Sequence, residues 1–150
     1  MRISARADYA VRAALQLAVS DERLSAEAIA AAQDIPGKFL EGILTELRKA
    51  GLVDTRRGPS GGTQLSAPAE TITVGAVVRA VDGPLVFVRD ARPPDLEYEG
   101  ASEGLLDVWV ALRVNVRQVL DTVTLADVVG RRLPADVAAL VGEPDAWDNP

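Results

Sequence analysis

Along the first fifty residues, apolar side chains return every three or four positions, the period of an amphipathic helix. From Ser4 to Val19, Tyr9, Ala13 and Leu17 form one row and Ala10, Ala14 and Ala18 another, which predicts a first helix rich in alanine. Asp21-Glu22-Arg23 is a short polar turn. Ser25 suits the N-cap of a second helix over Ala26 to Gln33, with Leu24 and Ile29 spaced as a hydrophobic staple. Asp34-Ile35-Pro36-Gly37 interrupts the pattern. A third helix is predicted from about Pro36 to Ala50, with Phe39, Leu40, Ile43, Leu44 and Leu47 on one stripe, Pro36 in its first turn and Gly51 as its stop. The period then changes. Leu52–Thr55 and Thr63–Ser66 read as two short strands around Arg56-Arg57-Gly58-Pro59-Ser60-Gly61-Gly62, a hairpin with a basic, glycine-rich tip. Two helices, a tight turn, a third helix and a basic hairpin make the winged-helix pattern. In it one helix enters the major groove of DNA and the hairpin reaches the neighbouring minor groove or the backbone.

Thr73 reads as the N-cap of a fourth helix, Val74 to Val81, ended by Asp82-Gly83-Pro84. Residues 90–104 are loop-like, with Pro93, Pro94, Gly100 and Gly104 among acidic residues. A long helix is predicted from Glu103 to about Thr122. Its stripe is Leu105, Trp109, Leu112, Val116, Val119 and Val123, at heptad spacing, widened by Leu106, Val110 and Leu120. Such a face has to be buried. A second copy of the chain is the expected cover, and packing on its own head is the alternative. Thr124 and Asp127 are spaced as a capping box opening a short helix, Leu125 to Arg131, and Pro134-Ala135-Asp136 starts another. The acidic tail, residues 142–150, is expected to fray, with Trp147 an incidental contact. The expected fold class is therefore mainly α with a small β-hairpin. Residues 1–84 form a winged helix-turn-helix head, residues 85–141 the loop, long dimerisation helix and short helices, and residues 142–150 the tail.

Composition narrows the chemistry. Of 150 residues 48% are apolar and 25% charged, enough for a packed core and too apolar for intrinsic disorder. There is no cysteine and no histidine. That excludes disulfides, thiolate metal sites, cysteine-ligated iron–sulfur clusters, a cysteine nucleophile and a histidine base. No signal-peptide run and no membrane-length apolar stretch is present, so the cytoplasm is the expected compartment and no membrane partner is expected. The net charge of −6 argues at first against nucleic acid. Its distribution does not. Residues 1–67 hold nine basic and eight acidic side chains, a net +1, whereas residues 68–150 hold seven and fourteen, a net −7. Fourteen of the sixteen basic residues are arginine, a bias that a GC-rich genome would produce by itself.

The hairpin tip carries the clearest local signal. Glycines admit positive φ and close approach of a backbone to another surface, and paired arginines suit phosphate contact or a narrow minor groove. A solvated turn that merely needs glycine is the plain alternative; the preceding helix–turn–helix pattern favours the DNA-facing reading. A nucleotide-phosphate loop is excluded, because no Gly-Lys-Ser/Thr follows and no helix starts after the glycines. An enzyme is not expected, since the acidic residues form no pair in a recognisable site.

Several stretches together resemble the winged-helix repressors of the Rrf2 family, which include the iron–sulfur cluster regulator and the nitrite-sensitive repressor. They are Met1-Arg2-Ile3-Ser4 leading to Asp8-Tyr9-Ala10, Ile29-Ala30, Phe39-Leu40-Glu41-Gly42-Ile43-Leu44 and Leu47-Arg48-Lys49-Ala50-Gly51-Leu52-Val53. They continue through Arg57-Gly58-Pro59-Ser60-Gly61-Gly62, Val77-Val78-Arg79-Ala80-Val81-Asp82-Gly83-Pro84, Trp109 and Thr124-Leu125-Ala126-Asp127. The resemblance implies a homodimer that binds double-stranded operator DNA, usually to repress transcription. It places Lys38 and Phe39 at the start of the recognition helix and Arg48 and Lys49 at its end, where dipole stabilisation is a competing role. Arg57, Gly58, Ser60, Gly61 and Gly62 match the wing motif, with Arg56 its basic neighbour. Leu105, Trp109, Leu112, Val116, Val119 and Val123 become the dimerisation set.

The departures matter too. Relatives with a cluster carry three cysteines in the loop before the long helix, and here that loop has none. No cofactor and no metal is therefore expected. Asp8, which resembles a cluster ligand in position, reads as a helix-start carboxylate. Asp90, Asp95, Glu97, Glu99 and Glu103 read as a solvated loop rather than a divalent-cation site. Pro36 replaces a common serine and Thr63 a common aromatic. Three possibilities for control stay open: a small ligand between the head and the long helix near Trp109, a protein partner on the acidic half, or no effector. The alternative function is a protein-interaction module whose acidic C-terminal half docks a partner.

Overall fold

Ser4, Ser25 and Thr73 each accept a hydrogen bond from the backbone N–H three residues ahead, at 2.9, 3.1 and 3.1 Å, and so open three of the helices. A computed structural model describes residues 2–89 and 91–148. Its helices are α1 (Ala5–Ala18), α2 (Ala26–Gln33) and α3 (Gly37–Lys49), followed by the strands β1 (Val53–Arg56) and β2 (Gly62–Leu65). Next come α4 (Val74–Asp82), α5 (Leu105–Leu120), α6 (Leu125–Val129) and α7 (Ala135–Val141). The strands pair antiparallel, Val53 opposite Leu65 and Arg56 opposite Gly62. The fold is the expected one, mainly helical with one small hairpin.

The core is centred on α1. Ala7, Ala10, Ala13 and Ala14 are all buried, and their lack of bulk lets α2, α3, α4 and α6 pack directly on that helix. Around them close Leu17, Ile29, Ile35, Leu40, Ile43, Leu47, Val53, Ile72, Val77 and Leu125. Leu24 and Ile29, the predicted staple, both join this core. Leu125 is fully buried although it lies beyond the long helix. The chain returns to the head there: Val74 N–H donates to Val123 C=O at 2.9 Å and Leu125 N–H to Ile72 C=O at 2.9 Å. The head core thus draws on residues from both sides of position 84. The predicted capping box is formed. Asp127 N–H donates to Thr124 Oγ1 at 3.1 Å, and Asp127 Oδ2 accepts from Thr124 N–H at 2.8 Å. That backbone donor, with the Thr124 hydroxyl, holds the Asp127 carboxyl below the usual aspartate value.

Boundaries differ from the sequence pattern in instructive ways. The first strand includes Arg56 and the second starts at Gly62, so the tip is residues 57–61. Pro36 is the N-cap of α3 rather than part of its first turn. The helix α6 ends at Val129, before Arg131, which takes a left-handed φ of 51°. The helix α5 is shorter at both ends than predicted, because a 3₁₀ turn occupies Gly100–Ser102 and the chain turns at Asp121. Val123 is consequently off the long helix and buried against the head, which removes it from the dimerisation stripe. Pro93 and Leu96 anchor the loop before α5, while Asp90 lies outside the described residues. Residues 142–148 form turns, and Trp147 is exposed, its indole N–H donating to Val141 C=O at 3.1 Å.

The alanine face of α1 has no room for larger side chains. Ala13→Leu should lower stability by about 1–3 kcal/mol through overpacking, measured by urea denaturation.

Candidate nucleic-acid interface

At 100° per residue, Leu40, Ile43, Leu44 and Leu47 share the side of α3 that is buried in the core. Lys38, Gly42, Thr45 and Lys49 then lie on the opposite side, with Glu41 and Arg48 on the flank that meets the hairpin. Phe39 and Glu46 lie on the other flank. This geometry divides the four sequence-predicted positions on the helix. Lys38, Arg48 and Lys49 are exposed. Phe39 packs on Tyr9 of α1 instead, ring centroids 6.1 Å apart and tilted by 50°, with the Lys38 ammonium 5.3 Å from its centroid. Lys49 pairs with Glu46 at 3.1 Å. Phe39 is still about half exposed, so it both seats α3 on α1 and borders the outer face.

The turn between α2 and α3 is fixed from α1. Arg12 donates to Gln33 C=O at the end of α2, pairs with Asp8 at 3.3 Å, and stacks over Tyr9 at 5.6 Å. Asp8 therefore serves as a first-turn carboxylate and partner of Arg12. Pro36 has no side chain to cap α3, and Phe39 N–H bonds back to Pro36 C=O at 2.9 Å.

The hairpin is locked to the start of α2. Leu24 and Thr63 exchange two backbone hydrogen bonds, 2.9 and 2.8 Å long. A Cβ at Gly62, whose φ is +123°, would stand 2.8 Å from Leu24 C=O, and one at Gly61 would stand 2.8 Å from Gly58 C=O. The close approach that these glycines permit is to the chain's own backbone. Thr63 is buried and its hydroxyl lies 3.1 Å from that of Thr55, which accounts for a threonine at this position. Arg56, Arg57, Gly58 and Ser60 are exposed on the hairpin.

Arg23, which in the sequence is only part of a polar turn, completes the clamp. Its guanidinium reaches Asp54 carboxylate at 2.5 Å, Asp54 C=O at 3.1 Å and Gly62 C=O at 3.2 Å. The Arg23 hydrogen bond holds the Asp54 carboxyl below its usual value of 3.8. The sequence carries no signal for this role, since Asp54 is 31 positions away. The outer side of α3 and the hairpin form one groove of about 330 Å³. It is lined by Ser25, Glu41, Thr45, Arg48, Thr55 and Gly62. Only Arg48 and Gly62 of this set are sequence-predicted site residues, because the other side chains meet across three separate segments.

A sequence profile of the Rrf2 family, described as an iron-dependent transcriptional regulator, matches residues 3–131. This chain belongs to the Rrf2 family. A Mycobacterium tuberculosis protein bearing the name of an HTH-type transcriptional regulator is 48% identical, the match covering 99% of this chain and 94% of that one. The HTH-type transcriptional regulator CymR of Bacillus subtilis is 30% identical over 85% of this chain and 88% of its own. The solved structure of that CymR, titled the global cysteine regulator, superposes with a TM-score of 0.73, covering 87% of this chain and 98% of CymR. The T. potens IscR structure gives 0.71 at 29% identity, covering 87% and 88%. The protein is a DNA-binding regulator of transcription of this winged-helix family, not an enzyme.

The iron in the family description finds no matching donors here. With no cysteine or histidine, neither thiolate nor imidazole ligation is available. Among the described residues no three Cys, His, Asp or Glu side chains gather around one point. No described helix is long and apolar enough to cross a membrane.

Three outcomes test this geometry. Arg23→Ala should raise amide exchange at Gly62 and Thr63 well above that of the α1 core. The Arg23–Asp54 pair has a depressed carboxyl pKa, so its contribution is present above pH 3.8 and is lost as pH falls through the lowered value. A methyl group added at Gly42 would meet only open space, so Gly42→Ala should raise stability by up to about 1 kcal/mol by chemical denaturation.

Proposed function

We propose that this regulator is a homodimeric, cluster-free repressor that binds partly palindromic operator DNA. The observation that carries the reading is the continuous groove joining the outer side of α3 to the hairpin. In this reading Lys38 and Arg48 reach the major groove from α3, Phe39 borders it, and Lys49 reaches the flanking backbone. Arg56 and Arg57 contact phosphates or the minor groove from the wing. Gly58, Ser60, Gly61 and Gly62 give the tip its shape. The lack of cysteine and histidine supports function without a cofactor.

The long helix supports self-association. None of the α5 side chains is buried within the chain. Val108 is 55% exposed and Val114 45%, on different sides of the helix. Leu105, Trp109, Leu112, Val116 and Val119 are partly covered by their own chain or at its edge. Trp109 donates to Tyr98 Oη at 3.1 Å, and Trp109 and Leu112 face Leu85–Val88 across a cleft of about 390 Å³. The stripe therefore keeps area for a partner helix while part of it meets its own head. A dimer places two recognition helices in successive major grooves and doubles a small basic face on an acidic protein. The head, the long helix with its flanking turns, and the tail act as the three functional parts. The cytoplasm is the compartment this role needs, and a small-molecule or protein effector is the means of control.

Replacing Arg56 and Arg57 together by alanine should weaken binding to the chain's own upstream DNA. It should also reduce the slope of log K against log salt by about 4, two arginines from each chain of the dimer, measured by fluorescence anisotropy. An unchanged slope overturns the wing's role, and a protein complex that survives both substitutions without DNA favours an interaction module. In gel filtration, elution at the size of a single 15.9 kDa chain overturns the two-groove geometry. Gly42→Ala, although stabilising, should weaken operator binding because the added methyl group stands on the reading side of α3.

A further inference from the structure

Away from the DNA-facing groove, α4 and α5 enclose a second polar cleft of about 390 Å³. It is lined by Arg79, Pro84, Leu85, Arg113, Arg117 and Asp121. Asp121 is its fixed point. The carboxylate accepts one hydrogen bond from Arg79 Nη1 and another from Arg117 Nε, the latter 3.2 Å long. A Cβ at Gly75 would stand 2.9 Å from Leu120 C=O, so only glycine at that position lets α4 approach the end of α5 closely. Partial burial pushes the Asp121 carboxyl up, but the two guanidinium partners outweigh it and hold the group below the usual aspartate value. Asp121 is therefore ionised at neutral pH, and three arginines against one aspartate leave the cleft at +2.

A guanidinium has five N–H donors. Arg79 and Arg117 each direct one at Asp121 and keep the others for a ligand. Arg113 stands one turn before Arg117 and has no carboxylate within ion-pair distance among the described residues. Like charges four residues apart on a helix repel each other. This local positive site sits in the half of the chain that carries −7. Leu85 and Pro84 add an apolar wall.

We infer that this cleft binds a small organic anion through its carboxylate or phosphate group. Arg113 and the remaining donors of Arg79 and Arg117 hold the anion, and Leu85 and Pro84 meet its carbon skeleton. The volume suits a metabolite-sized ligand. Arg79 comes from the head and Arg113 and Arg117 from the long helix, so an occupied cleft ties head to helix. That regulatory consequence rests on the operator-binding reading; the anion site itself does not. A backbone phosphate of DNA offers the same chemistry, so the test separates the two sources.

The experiment titrates the full-length protein, without DNA, with inorganic phosphate and separately with citrate. Chloride is exchanged to keep ionic strength constant, and calorimetry and the thermal midpoint are read together. Saturable binding with a raised midpoint is expected. Arg113→Ala should weaken it about tenfold, with Arg113→Lys in between because it keeps the charge but not the planar fork. A single cooperative transition of both variants in chloride verifies that they fold. Absence of saturable binding, or equal binding by wild type and Arg113→Ala, overturns the inference. In a parallel DNA titration, Arg113→Ala should leave the salt slope unaltered. A slope reduced by about 2, one arginine from each chain of the dimer, together with no response to free phosphate assigns the cleft to the DNA backbone and also overturns it. Because the first arm contains no DNA, failure of the operator reading does not mimic failure of the anion site.

Discussion

Two hydrogen bonds between Leu24 and Thr63 decide where the hairpin stands relative to α3. A two-stranded hairpin is marginal in water without further support. Here one strand gains a short backbone pairing with the chain entering α2, and the approach is so close that position 62 admits no side chain. Arg23 then spans the same junction, binding one carbonyl on each strand and the Asp54 carboxylate. The basic tip is thus carried on the helical core rather than tethered to it. Arg48 on α3 and Thr55 on the hairpin can line one groove only because of that lock.

The second constraint is steric. An α1 face built of alanine allows four other helices to pack closely around one axis. It also brings Tyr9 and Arg12 to the surface beside α3. There Tyr9 supports Phe39, and Arg12 holds the last carbonyl of α2. Packing of the core and placement of α3 are in this way the same problem, solved by opposite sides of one helix.

Electrostatics divides along the same lines. The protein is acidic overall, yet its acids are largely paired where the basic residues matter. Asp8, Glu46, Asp54 and Asp121 each pair with a nearby cation. Exposed pairs of this kind add little stability. Their value is positional, since a paired arginine keeps its direction and its remaining donors. Residues 68–150 carry the −7, which leaves residues 1–67 at a net +1.

Periodicity and punctuation in the sequence determined the element order, the helix caps at Ser25, Thr73 and Thr124, the hairpin, and the ordered motifs that marked the Rrf2 family. These are local quantities: a 3.6-residue repeat, a hydroxyl three residues before an N–H, a glycine where φ is positive. Only the tertiary structure decided which of the candidate residues face outward. Phe39 shares α3 with Lys38, Arg48 and Lys49 but turns towards Tyr9 of α1. Val123 continues the heptad spacing, yet the chain bends at Asp121 and buries it. Arg23 with Asp54, and Arg79 with Asp121, join positions far apart in the chain, and no local pattern encodes a long-range ion pair. A repeat fixes a face within one helix, whereas the neighbour against which that face is laid is set by packing among all of them.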